Sequence, residues 1–178
     1  MKKTMRHITN ICFKFVAMEK IILEKHDPRW IKIFETEREI LLGALSGVVV
    51  HHVGSTAVKD LAAKPIIDIC IEASRFPPLE DQLKTLRDLG YENRGEAGVP
   101  GRIWFVKGQP RKFNLHYCAV GSPVAERQLA FRDALRKSEK LRREYEALKI
   151  ANALNQDIDS AEYAGSKTGL IESVIAGS

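Results

Sequence analysis

The chain has 178 residues, 44% of them apolar and 29% charged, with 28 Lys and Arg against 23 Asp and Glu for a formal net charge of +5. That length suits one sizeable domain, and that composition excludes the disordered, fibrous and membrane-spanning classes. The basic excess permits an anionic partner, but acids and bases alternate along the chain, so charge alone points no more to nucleic acid than to the phosphates of a small nucleotide.

Cys12, Cys70 and Cys118 are odd in number, widely spaced and outside any Cys-x-x-Cys pattern. They argue against a disulfide framework or a zinc knuckle and suit a reducing cytoplasm. No apolar run approaches the ~18 residues of a membrane span, so no membrane partner is expected. Lys2, Lys3 and Arg6 precede an apolar stretch at 11–18, but Lys14 interrupts it and no small-residue cleavage site follows. The expectation is a poorly ordered extension over residues 1–20, with Met18 as an alternative start, ahead of a single domain over 21–178.

Asp27-Pro28 sets a capping residue before a proline at the first helical position, and Trp30, Phe34 and Leu41 or Leu42 recur at near-helical spacing. This predicts a helix over 28–46. Ser46-Gly47 ends it, and the β-branched residues 48–53 read as a strand. A Gly54-Ser55-Thr56 turn follows, and past Lys64-Pro65 the apolar run 66–72 reads as a second strand. Pro77-Pro78 opens a helix to Leu89, with Gly90 as its stop and Leu79, Leu83 and Leu86 as its buried stripe. Strands over 101–107 and 112–120 flank Gly108-Gln109-Pro110-Arg111 as a hairpin. Three helices follow, their starts marked by Ser122-Pro123, by Ser138 and by Asp159 with Glu162 three residues on. The pattern is α/β or α+β: a small mixed β-sheet flanked by helices, with a helical C-terminal third.

Gly54 lets the backbone approach a ligand closely, and a turn leaving a strand presents unpaired amides, to which Ser55 and Thr56 add hydroxyl donors. Such a turn suits a phosphate, although a Gly-Ser pair is also an ordinary strand-end turn with Ser55 as a cap. Strand alternation puts Ile66, Asp68, Cys70 and Glu72 on one face and Ile67, Ile69 and Ile71 on the other. Asp68 then projects beside the turn if the two strands pair. A carboxylate within an apolar strand requires a cation, a metal ion or dedicated donors, and Lys64 is one available partner.

His116 shares a strand face with Asn114 and Cys118 and suits a metal ligand, an acid or base, or a hydrogen-bonded structural residue. His52, directly before the turn, has the same two readings, while His51 points to the opposite face. In the last helix Tyr163, Lys167, Leu170 and Val174 fall at i, i+4, i+7 and i+11, which places Lys167 on the apolar stripe. Either its stem packs while the ammonium reaches water, or the helix delivers a cation to the site. Arg127, Arg132, Arg136, Arg142 and Arg143 form a basic run, but Glu139 with Arg143 and Lys140 with Glu144 are helical pairs, so a solvated face is the default.

Several ordered segments go further: Asp-Pro-Arg-Trp (27–30), His-Val-Gly-Ser-Thr-Ala-Val (52–58), Leu-Ala-Ala-Lys-Pro-Ile-Ile-Asp-Ile (61–69), Asn-Leu-His (114–116) and Phe-Arg-Asp-Ala-Leu-Arg (131–136), extended by 145–149 and 163–167. Over roughly residues 27–175 the chain resembles the GrpB family, a group similar to the DNA polymerase beta-like nucleotidyltransferases. The resemblance implies a nucleotidyltransferase-type sheet and a nucleotide-phosphate site at Gly54, Ser55 and Thr56, with Lys64 and Lys167 directed to phosphates. It also makes Asp68 the first of two carboxylates that bind a divalent metal, magnesium or manganese. The second is replaced by Cys70, a soft ligand that magnesium does not favour. Glu72 lies ~13 Å along the strand from Asp68, too far to share an ion without a bend.

His116 falls where that superfamily often has a third carboxylate, so Asp68 and His116 together are expected as the catalytic pair and as ligands of a metal such as manganese or zinc. Three functions follow as expectations. The first is nucleotidyl transfer. The second is a non-catalytic module binding a nucleotide or a coenzyme A-related molecule, since GrpB-like domains occur joined to dephospho-coenzyme A kinase. The third is an RNA-associated protein using the arginine-rich helices, for which the sequence offers no aromatic stacking pattern.

Overall fold

A computed structural model describes residues 22–154, residue 165 and residues 168–176. The expected N-terminal extension, the Asp159/Glu162 capping box, Tyr163 and Lys167 lie outside the described residues.

The first helix, α1, spans Arg29–Ala44. Asp27 Oδ1 accepts the Arg29 N–H at 2.8 Å, so the aspartate caps an otherwise orphaned amide. Strand β1 (Val48–Val53) leads into a single 3₁₀ turn at Ser55–Ala57, and β2 covers Ile67–Ala73. Helix α2 spans Glu80–Asp88, a start later than the two prolines suggest. Pro78 disfavours helical backbone at Pro77, and Leu79 beyond it is still extended at ψ 161 as the helix N-cap, so winding begins only at Glu80.

Strand β3 is the two-residue Glu92–Asn93, too short to leave a sequence pattern. The expected hairpin is formed by β4 (Arg102–Lys107) and β5 (Phe113–Ala119). Helix α3 (Pro123–Lys137) is capped by Ser122 Oγ, and α4 (Glu139–Leu154) by Ser138 Oγ, which accepts the Leu141 N–H at 3.2 Å. Helix α5 is Thr168–Ala176.

The five strands form one mixed sheet in the order β1-β2-β5-β4-β3. β1 is antiparallel to β2, β2 is parallel to β5, and β4 is antiparallel to both β5 and β3. Alternation along β2 holds as expected. Ile67, Ile69 and Ile71 enter the main core with Trp30, Phe34 and Leu41 of α1 and Leu86 of α2, and each such buried side chain contributes about 1.5–3 kcal/mol. Cys70 faces the other way, against Val53, Cys118 and Ala125. A third cluster joins Val58 and Leu61, which follow the turn, to Phe131, Leu135 and Tyr145, with Leu170 and Val174 of α5 packed on it. No described helix is long and apolar enough to cross a membrane.

One buried ion pair ties α1 to the hairpin. Glu37, 6% exposed, accepts Lys107 Nζ at 2.7 Å and the Tyr91 hydroxyl at 2.9 Å. Removing the cation leaves a buried carboxylate with one neutral donor. Lys107→Met is expected to destabilise the fold by about 2 kcal/mol in urea unfolding, less than a fully buried pair would cost because Lys107 keeps some contact with water.

Candidate functional site

Antiparallel pairing places Val53, the last residue of β1, opposite Asp68. The next residue, Gly54, has φ +69 and ψ −171, a conformation that side chains rarely permit. Space forbids one as well. A Cβ at Gly54 would lie 2.9 Å from both Cβ and Cγ of Asp68 and closer still to Oδ2. The carboxylate therefore lies directly on the turn. Beyond it, Ala57 N donates to Gly54 O and Val58 N to Ser55 O, so the Ser55 and Thr56 amides precede the first 3₁₀ hydrogen bond and have no partner within the turn.

Three cationic side chains from the C-terminal helices hold this segment by its carbonyl groups. Arg132 Nη1 donates to His52 O at 3.0 Å, and Arg136 donates to Ala57 O through Nε at 3.1 Å and Nη2 at 2.9 Å. Lys149, only 2% exposed, donates to Ala62 O and, at 3.2 Å, to Ser55 Oγ. Glu146, one helical turn before it, accepts the Ala62 N–H at 2.8 Å, so α4 grips both edges of this part of the backbone. An ammonium only donates, which makes Ser55 Oγ the acceptor and leaves the Ser55 hydroxyl hydrogen to point elsewhere as a donor.

Lys149, which holds the turn, is not among the residues the sequence singled out. Its signal was present: Leu141, Tyr145 and Lys149 recur every four residues, so a lysine sits on an apolar stripe, the pattern that singled out Lys167. The arginines also depart from expectation. Arg132, Arg136 and Arg142 donate to backbone carbonyls, although Arg132 and Arg136 also pair with Asp133, while Arg127 with Glu172 and Arg143 with Glu139 form surface pairs.

Thr56 is turned inward. It is 1% exposed, and its Oγ1 lies 3.0 Å from His52 Nε2, so its amide alone faces the turn's mouth. The His52 ring stacks on Phe34 at 4.5 Å, and burial, with Arg136 and Arg132 nearby, holds its pKa down at about 3. Lys64 is half-buried just upstream of β2.

Asp68 and Asn114 are in register across the parallel β2/β5 pair, and Asn114 Nδ2 donates to Asp68 Oδ1 at 2.8 Å. That donation orients the amide, and the buried Asn114 Oδ1 is left without a hydrogen-bond partner. His116, opposite Cys70 on the same face, contacts Arg102 Nη1 through Nδ1 at 3.2 Å. An arginine only donates, so Nδ1 accepts and the ring proton resides on Nε2. Burial and the Arg102 charge hold His116 down at about 3, so it is neutral near pH 7.

Cys70 is buried and held as a thiol, since a hydrogen bond with Cys118 and burial both push its pKa up. Glu72 is engaged at the far end of β2, with His51 Nε2 at 2.8 Å and the Gly121 N–H at 3.0 Å. Among the described residues no group of three or more His, Cys, Asp and Glu could hold a metal. The oxygen donors the site offers are the Asp68 carboxylate and the Asn114 amide oxygen, a hard set suited to magnesium or manganese rather than zinc.

Residues 20–176 match the family model described as GrpB protein. The UPF0157 protein YqkA of Bacillus subtilis is 34% identical over 77% of this chain, which spans only 41% of that protein's length. The UPF0157 protein SCO7215 of Streptomyces coelicolor is 35% identical over 85% of this chain and 81% of its own. Among solved structures, the conserved protein GrpB from Enterococcus faecalis is 30% identical with a TM-score of 0.75, covering 86% of this chain and 94% of that one.

Two outcomes follow from this geometry. Gly54→Ala is expected to cost about 2–3 kcal/mol in urea unfolding, because it strains the turn and displaces Asp68, whereas Gly43→Ala, in open space in α1, is neutral or mildly stabilising. Unfolded imidazoles take up protons near pH 6.5, while His52 and His116 resist protonation down to about 3. The unfolded chain therefore binds more protons between those values. Stability is level above pH 6.5 and falls as pH drops from 6.5 toward 3, and His52→Gln makes that fall shallower in a series of unfolding curves.

Proposed function

This chain belongs to the GrpB family, and from that membership and the geometry of its turn we propose that it binds a phosphate-bearing nucleotide at Gly54, Ser55 and Thr56 with a divalent cation and transfers the nucleotidyl group to an acceptor. The observation that carries this reading is the packing of Asp68 onto Gly54. A carboxylate lying on an anion-binding turn repels a phosphate unless a cation stands between them. Asp68 and the unpartnered Asn114 Oδ1 would hold that cation, with phosphate oxygens and water completing its shell. A magnesium or manganese ion held there would neutralise phosphate charge.

The protein's own groups then have distinct tasks. The Ser55 hydroxyl, whose oxygen accepts from Lys149 and whose hydrogen is left to donate, and the Ser55 and Thr56 amides donate to phosphate oxygens. Lys64 and Lys167 supply further positive charge. His116 donates through Nε2–H rather than ligating the metal or serving as a base. In the transfer itself an acceptor hydroxyl oxygen bonds to the α-phosphorus as the bond to the β-phosphate oxygen breaks. Pyrophosphate leaves, and the hydroxyl proton passes to solvent. The proposal includes a cytoplasmic location, supported by the free thiols of Cys70 and Cys118.

A second reading, a binding module for a nucleotide or a coenzyme A-related molecule without turnover, is favoured by Cys70. As a buried thiol it cannot replace the second carboxylate of a two-metal site. Pyrophosphate release across a panel of acceptors separates the two.

Nucleotide at about 100 times its Kd, with magnesium or manganese, is expected to stabilise the protein by about 2.7 kcal/mol, or roughly 5–10 °C in melting temperature. Asp68→Ala should remove most of that shift, as should chelation of the metal. A flat melting temperature across all nucleotides and both metals would sink the reading.

A further inference from the structure

The nucleotide site accounts for only part of its sheet face. α3 packs on β1, β2 and β5, closing over Cys70 and Cys118. β4 lies beyond it, with Trp104 opposite His116 and Arg102 opposite Cys118. Opposed residues project to the same side of a sheet, so Arg102 and Trp104 continue the face that carries Asp68, Asn114 and His116.

Arg102 is half-buried, and none of its partners is a carboxylate. Nη1 meets His116 Nδ1, and Nη2 donates to the backbone oxygens of Glu96 at 2.9 Å and Ala97 at 3.4 Å. The nearby Glu96 carboxylate is turned instead onto the Gly101 N–H at 3.0 Å. Nε is buried with no partner, so two of the five guanidinium hydrogens, on Nε and Nη1, remain unused. A half-buried cation with no carboxylate partner is stabilised by an incoming anion. Beside it the Arg111 guanidinium lies 5.4 Å over the Trp104 ring, adding a second positive charge, and His116 adds its Nε2–H. The outer half of the face is thus cationic and rich in donors, while Asp68 lies at its inner end.

We propose that Arg102, His116 and the Arg111-covered Trp104 form a second binding site, beside the nucleotide turn, for a small molecule carrying an oxyanion, either phosphate or carboxylate. Anion binding rests on Arg102 and its surroundings alone. The assignment of that molecule as the acceptor, held with its hydroxyl toward the Asp68 end, rests on the nucleotidyl-transfer reading.

The test is a titration of the full chain with inorganic phosphate and, separately, with acetate, followed by ¹H–¹⁵N correlation of Arg102 Nε–H, His116 Nε2–H and the Ser55 and Thr56 amides. Saturable shifts at Arg102 and His116 are expected, and the tighter of the two anions identifies the class of group recognised. Arg102→Gln should weaken binding at His116 about tenfold or more, and Ser55→Ala should change it by no more than about twofold. The wild-type titration reads the site directly, so it decides the matter even where Arg102→Gln disturbs the loop that Arg102 anchors. Shifts confined to Ser55 and Thr56, or no saturable shift with either anion, overturn the second site and leave the nucleotide site to its own test. Shifts at Arg102 and His116 in a protein that no nucleotide stabilises uphold the anion site and remove the acceptor assignment.

Discussion

The contact between Asp68 and Gly54 constrains everything around it. β1 and β2 pair so that the last residue of one strand faces the carboxylate of the other, and the chain must leave β1 at that point. Any side chain on the departing residue would occupy the position of the carboxylate, and the backbone turns with positive φ. Glycine meets both demands. The Gly54 turn and the acidic strand residue are therefore one structural unit, and neither can change without moving the other.

That unit needs support, since a short 3₁₀ turn has little hydrogen bonding of its own. The support comes from the helical C-terminal region. Arg132 and Arg136 from α3 and Lys149 from α4 donate to carbonyl oxygens before, within and after the turn. Each donation to a carbonyl stabilises by about 1.5–3 kcal/mol when the donor is charged. The apolar cluster of Val58, Leu61, Phe131, Leu135 and Tyr145 brings those helices to the loop, so packing and polar contacts fix the same geometry.

The electrostatics of the sheet face follow from who donates to whom. Arg102 sets the tautomer of His116, Asn114 is oriented by donating to Asp68, and His51 takes up Glu72. With Cys70 held as a thiol against Cys118, a single carboxylate is left beside the turn. This arrangement separates the face into an acidic inner end and a cationic outer half.

Much of this was legible in the amino-acid sequence. The strands, most helices and the division of β2 into an isoleucine face and an Asp68, Cys70, Glu72 face depend on near-neighbour periodicity, which a sequence states directly. The Gly54 turn was legible for the same reason, and so was its pairing with Asp68 once two adjacent strands were assumed. The later start of α2, the two-residue β3, the inward turn of Thr56 and the roles of Arg102, Arg132, Arg136, Asn114 and Lys149 were not. Apart from the local start of α2, each of these depends on a partner distant in sequence, such as Lys149 with Ser55, 94 positions away. Local sequence determines which residues share a face. Which distant groups satisfy a buried donor or acceptor is decided only when elements dock, because a hydrogen bond is made to whatever partner packing brings within about 3 Å.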